Sequence, residues 1–102
     1  MRKGVLELCI LSIISDKELY SSDLLAALKE AKLLVVEGTL YPLLSRLKNE
    51  GLLKYRWEES PTGPPRKYFS LTEEGKDTRE ILKTSWDNLS QSVNKIIKNY
   101  AL

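Results

Sequence analysis

Apolar positions recur along this chain with a helical period in four stretches and with a strand-like alternation in a fifth. Val5–Ile14 is almost uniformly hydrophobic, with Leu6, Cys9, Ile10 and Ile13 on one helical face. So apolar a helix needs more than one cover: one face meets the core, and a second is expected to meet another subunit. Leu24, Leu25 and Leu28 give a second helix up to Ala31, preceded by Ser21-Ser22-Asp23 as sources of N-capping oxygens. Residues 32–36 then form a connection that the pattern leaves open between loop and extended segment. In the third stretch, Leu40, Leu43, Leu44 and Leu47 fall at i, i+3, i+4 and i+7, and Gly51 stops the run.

The other side of that third helix carries Gly38, Tyr41, Pro42, Ser45 and Asn49, flanked by Thr39, Arg46 and Lys48. The five outward residues include no acid. A helix seated in the DNA major groove needs hydrogen-bonding side chains, some apolar surface and no carboxylate against phosphate, and this face meets those conditions. After Gly51, residues 52–58 alternate from Leu53 onward, so that Lys54 and Arg56 share one face of a strand. Residues 59–65 contain three prolines and are expected to form a turn without ladder hydrogen bonds, from which Arg66–Leu71 returns as a second strand.

The last third opens with Thr72-Glu73-Glu74, an acidic first turn suited to a helix start, and continues with Leu82, Trp86, Leu89, Val93, Ile96 and Tyr100 at spacings of 4, 3, 4, 3 and 4. Ile81 and Ile97 widen this stripe, which reads as a coiled-coil seam. A small domain cannot cover it alone, so a homodimer is expected; the competing reading folds the stripe back on its own domain. The fold class is therefore mainly α with a small β-hairpin: a winged helix-turn-helix over residues 1–71 and a C-terminal dimerisation helix over residues 72–102.

Charge sharpens this picture. Residues 45–67 hold six basic side chains (Arg46, Lys48, Lys54, Arg56, Arg66, Lys67) against three acidic ones (Glu50, Glu58, Glu59), while the whole chain is only +2. The basic bias thus sits where a wing would meet phosphates. With 42% hydrophobic residues in 102 the chain can build one core, which excludes a disordered chain. Cys9 has no second cysteine to pair with and is expected to be a reduced, buried thiol. Met1-Arg2-Lys3-Gly4 before an apolar run resembles a secretion signal, but Glu7 and the lack of a small-residue cleavage site favour a buried helix. A cytoplasmic protein with no membrane partner is expected. There is no histidine, no glycine-rich phosphate loop and no metal-ligand spacing, and the adjacent acids Glu58-Glu59 and Glu73-Glu74 point to different sides. We therefore expect neither an enzyme, nor a cofactor, nor a metal site.

Gly38-Thr39-Leu40-Tyr41-Pro42-Leu43-Leu44-Ser45-Arg46-Leu47 with Glu50-Gly51-Leu52, followed by Gly63-Pro64-Pro65-Arg66-Lys67-Tyr68 and Leu71-Thr72-Glu73-Glu74-Gly75, resembles the PadR family of bacterial transcriptional regulators over nearly the whole chain. The resemblance implies a dimeric repressor that occludes a pseudo-palindromic promoter site, in the short branch with a single C-terminal helix. Thr39, Tyr41, Ser45 and Arg46 are the implied operator contacts, with Arg66 and Lys67 on the backbone; Lys48 and Lys54 join them as basic neighbours. In multidrug-responsive members a tryptophan on the last helix stacks on planar aromatic compounds between subunits. By that likeness Trp86, Leu82, Leu89 and Val93 are candidates for a small aromatic effector, with Asp87 as partner for a cationic one. The alternative is a winged-helix module that binds protein and never touches DNA.

Overall fold

Four helices and one hairpin follow in the order α1 (Val5–Ile14), α2 (Ser21–Glu30), α3 (Glu37–Asn49), β1 (Leu53–Ser60), β2 (Gly63–Leu71) and α4 (Glu73–Asn99). They belong to a computed structural model that describes residues 4–101. The Met1-Arg2-Lys3 part of the signal-like start lies outside the described residues.

The core is one cluster. Ile10, Leu11 and Ile14 of α1, Leu24 of α2, Leu40, Leu44 and Leu47 of α3, and Leu53, Phe69 and Leu71 of the hairpin are buried together. On α1 the fully buried face is thus Ile10-Leu11-Ile14, while Cys9 is only half-buried. That burial still disfavours the thiolate and raises its pKa above the ordinary thiol value. The second face of α1 has a cover within the same chain: α4 packs along it, and Arg79 Nε donates to Ser12 Oγ at 3.3 Å.

Backbone stops set the helix lengths. Beyond α3, Gly51 adopts φ +79, Gly51 N–H donates to the Lys48 carbonyl at 3.0 Å, and Leu52 N–H donates to the Leu47 carbonyl at 2.9 Å. This is a Schellman motif, and its left-handed residue favours glycine. The open connection after α2 turns by the same device with a lysine: Lys32 takes φ 65, and Leu33 N–H reaches the Leu28 carbonyl at 2.8 Å. At the start of α2 it is Asp23, three residues on, whose carboxylate accepts the Tyr20 N–H at 3.1 Å. Ser21 and Ser22 lie inside the first turn.

The hairpin is longer than the prolines suggest. β1 and β2 pair from Leu53↔Leu71 to Ser60↔Gly63, with an irregularity between Glu58 and Ser60. The expected seven-residue turn shrinks to Pro61-Thr62, because Pro64 and Pro65 fall within that irregularity, where neither has a partner in the ladder and their missing N–H groups forfeit no bond. At its base one residue pairs along the outer edge of β2 as an isolated antiparallel bridge: Leu19 N–H donates to the Phe69 carbonyl at 3.0 Å and Phe69 N–H to the Leu19 carbonyl at 2.8 Å.

Thr72 fixes α4 to the end of α3. Its hydroxyl donates to the Gly51 carbonyl at 2.6 Å and accepts from Gly75 N–H at 3.0 Å. The helix then leaves the core, in a molecule measuring 58 × 27 × 20 Å. The apolar stripe divides accordingly. Leu82 packs at the core's margin and, with Ser85, Trp86 and Leu89, faces Gly4, Val5 and Leu8 of α1 across a groove of about 330 Å³. Val93, Ile96 and Tyr100 stand exposed beyond it.

Candidate nucleic-acid interface

A concave surface lies between α3 and the hairpin. It encloses about 750 Å³ and is lined by Tyr41, Ser45, Lys48 and Asn49 of α3, Tyr55, Trp57, Arg66 and Lys67 of the hairpin, and Tyr20-Ser21-Ser22 at the start of α2. The burial of Leu40, Leu44 and Leu47 against the core turns Tyr41, Ser45 and Asn49 outward. The register does the same for the hairpin: Trp57 lies opposite Lys67 and Tyr55 opposite Phe69, so these side chains share the face that carries the buried Leu53 and Leu71.

Charge in the groove is of one sign. No carboxylate lines it, and among the described residues none pairs with Lys48, Arg66 or Lys67. These cations lie instead on aromatic rings. Lys67 Nζ sits 4.4 Å from the Tyr55 centroid and 5.2 Å from that of Trp57, Lys48 Nζ is 5.7 Å from the Tyr55 centroid, and the Arg66 guanidinium is 5.2 Å from the Tyr20 centroid. A ring face holds an ammonium in place and satisfies none of its donors, so the N–H groups stay available to phosphate oxygens.

Two other cations of the basic stretch, Arg46 and Arg56, are paired with carboxylates. Arg56 donates to Glu18 at 2.8 Å and to Glu58 at 3.0 Å, which raises the guanidinium pKa, chiefly through Glu18, and lowers that of Glu18. Arg56 also lies 4.7 Å over the Tyr68 ring, which stacks on Tyr20 at 3.9 Å. The Tyr68 phenol is pushed up to about 12, first by the neighbouring Tyr20 hydroxyl and then by burial. This assembly clamps the hairpin's outer face to the α1–α2 junction.

Of the eight residues expected to meet DNA, the structure brings Tyr41, Ser45, Lys48, Arg66 and Lys67 together and places three elsewhere. Lys54 lies opposite Ser70, on the hairpin face turned away from the groove. Thr39 is exposed on the first turn of α3 and does not line the groove. Arg46 is directed toward α1, where its guanidinium meets Glu7 at 2.6 Å. Conversely, Tyr20, Ser21, Ser22, Tyr55 and Trp57 belong to the groove without having been singled out. Trp57, 60% exposed, was legible: strand alternation places it opposite the Lys54–Arg56 face, and an aromatic left bare on a hairpin needs a reason. The α2 residues carry no such signal, since only tertiary contact brings them near.

On α4, Leu82, Trp86 and Leu89 share the α1 groove, and Asp87 and Val93 do not line it. Asp87 accepts from Lys83 at 3.4 Å on the helix surface. Among the described residues no helix is long and apolar enough to cross a membrane.

Comparison with known proteins follows the same outline. The model of the transcriptional regulator PadR-like family matches residues 10–81. A PadR-like transcription factor from Bacteroides fragilis is similar at 54% identity and TM-score 0.82, over 94% of this chain and 93% of that one. A PadR-like transcriptional regulator from Bacillus cereus is similar at 42% identity and TM-score 0.80, over 93% of both chains. PadR of Bacillus subtilis, whose structure is in complex with operator DNA, is similar at 29% identity and TM-score 0.70, over 78% of this chain and 45% of that longer one. The comparison with curated proteins returned no significant match.

Proposed function

This chain belongs to the PadR-like family of transcriptional regulators, and we propose that it is a dimeric repressor that occludes a pseudo-palindromic promoter site. One observation carries the reading: Lys48, Arg66 and Lys67 converge on an acid-free groove beside the outward face of α3. With α3 in the major groove, Tyr41, Ser45 and Asn49 reach base edges, and the hairpin's Arg66 and Lys67 take the flanking phosphates. That PadR of Bacillus subtilis is found in complex with operator DNA supports DNA as the partner. Two such units joined by their α4 helices meet two half-sites, the spacing being set by the helix pair. The exposed run Val93, Ile96 and Tyr100, with Ile81 and Ile97 beside it, supplies apolar surface for that pairing.

A gel shift tests the DNA reading. The full chain should bind duplex from upstream of its own gene in preference to random duplex, with affinity falling steeply from low to moderate salt as condensed counterions are released. Equal binding of both duplexes, or none, overturns it and leaves the protein-binding module.

We propose further that a planar aromatic effector relieves repression by entering the α1–α4 groove beside Trp86, with Leu82 and Leu89 as apolar walls. Titration of flat cationic dyes should quench or shift tryptophan emission in wild type and not in Trp86→Phe. An unchanged spectrum in wild type rejects those compounds as effectors.

A further inference from the structure

Arg46 has the chemistry of a DNA contact and a different occupation. Its Nη2 donates to Glu7 Oε1 of α1 at 2.6 Å, and its Nη1 donates to Glu50 Oε1 at 2.9 Å. The Glu7 side chain is only 15% exposed, so the pair is less screened than an ordinary surface ion pair. On the opposite flank of α3, the Tyr41 hydroxyl accepts from Ser21 of α2 at 3.2 Å. The helix is thus held by polar contacts on both sides of its leucine stripe.

That matters because leucines alone hold a helix loosely in rotation. Leu40, Leu44 and Leu47 fix which face is buried, but a modest roll about the helix axis preserves their burial. At a side-chain radius of about 6 Å, a roll of about 20° displaces an outward atom by about 2 Å, far more than a hydrogen bond tolerates. Base readout by Ser45 and Asn49 therefore needs a rotational stop, and a guanidinium steadied by Glu50 at the end of its own helix and bonded to Glu7 of α1 supplies one.

We propose that Glu7 is a positioning residue for the reading helix: through Arg46 it sets the rotation of α3, and Arg46 serves as a strut within the subunit instead of a contact to DNA. This rests on the assignment of α3 as the DNA-reading helix. The strut also ties α3 to the α1 turn that carries Gly4 and Leu8, two residues lining the α1–α4 groove.

The test compares Glu7→Gln, Arg46→Gln and the double variant in the full chain, on duplex from upstream of its own gene. Each single variant should weaken binding about fivefold or more, and the double should be no weaker than the weaker single, as expected for two ends of one interaction. The slope of log affinity against log salt should stay unchanged, since no phosphate contact is lost. The reversed pair, Glu7→Arg with Arg46→Glu, should restore part of the affinity, which a merely structural loss would not allow. A slope reduced by about one in Arg46→Gln, or tighter binding in Glu7→Gln as Arg46 is released to DNA, overturns the proposal.

A second arm needs no DNA. Hydrogen exchange of the α3 amides beyond Pro42 should quicken in Glu7→Gln while those of α2 keep their rates; unchanged α3 exchange overturns the strut. If wild type ignores the duplex, the reader assignment fails and the exchange result alone decides the role of Glu7.

Discussion

Ser21 and Tyr41 meet across the α2–α3 junction, the serine hydroxyl donating to the tyrosine oxygen at 3.2 Å. The contact fixes the phenol at the mouth of the groove while leaving the residue 46% exposed. Tyr41→Phe should keep the melting temperature, because an exposed hydroxyl contributes little to folding, and should weaken operator binding about two- to tenfold, the range of one hydrogen bond. Tyr41→Ala should weaken it more at the same folded circular dichroism spectrum. Full affinity in the alanine variant places the reading face elsewhere.

Lys67 lies on Tyr55 and Trp57 with its donors free. Lys67→Ala should weaken specific and random duplex alike and lower the salt slope by about one phosphate contact. A loss confined to the specific duplex would make Lys67 a base reader.

Gly75 shows how closely α4 approaches the end of α3. A Cβ at this position would overlap the Leu52 carbonyl oxygen, which is backbone and cannot rotate away. Gly75→Ala should destabilise the fold by about 2 kcal/mol or more, read as a lower urea midpoint at unchanged slope. A shift within about 0.5 kcal/mol would mean that the α4 start moves freely.

The α4 seam is best tested beyond the point where its own domain covers it. Leu89 lines the α1 groove, so a charge there would disturb the subunit as well; Ile96, 60% exposed, has no such role. Ile96→Asp should convert a dimer on light scattering to a monomer that keeps its helical spectrum and loses operator affinity, since a carboxylate in an apolar seam is costly. A persistent dimer would place the contact elsewhere.

Cys9 should report the packing of α1. Burial raises its pKa, so the folded chain holds the thiol proton more tightly than the unfolded one. Alkylation by iodoacetamide should be slower in folded than in urea-unfolded protein at pH 8, and should keep rising past the ordinary thiol value of 9.0. By the same sign, this group's contribution to stability is present below that value and is lost as pH rises through the folded pKa. Equal alkylation rates in the two states would show that α1 opens freely.

Much of this was legible because the relevant signals are local. The Leu40–Leu47 stripe with Gly51 fixes α3 and its outward face whatever it packs on, and the alternation from Leu53 fixes which hairpin residues travel together. The prolines misled because Pro64 and Pro65 occupy an irregularity in the ladder, and where the register breaks is set by the pairing of two strands. Leu19 could not announce its pairing with Phe69, since one residue has no period.

From its sequence alone, then, this chain determines its elements, the hydrophobic face of each and the family motifs of α3 and the wing, because periodicity and turn chemistry act between near neighbours. The tertiary structure alone decided which cations remain free. Arg46 and Lys48 are two residues apart on one helix, yet the first is spent on Glu7 and the second faces the groove; likewise Arg56 is taken by Glu18 while Lys67 rests on aromatic rings. A formal charge belongs to the residue, but its availability depends on which carboxylates lie within about 4 Å; Glu50 and Glu58 are near neighbours in the chain, whereas Glu7 and Glu18 are brought to these arginines only by the fold.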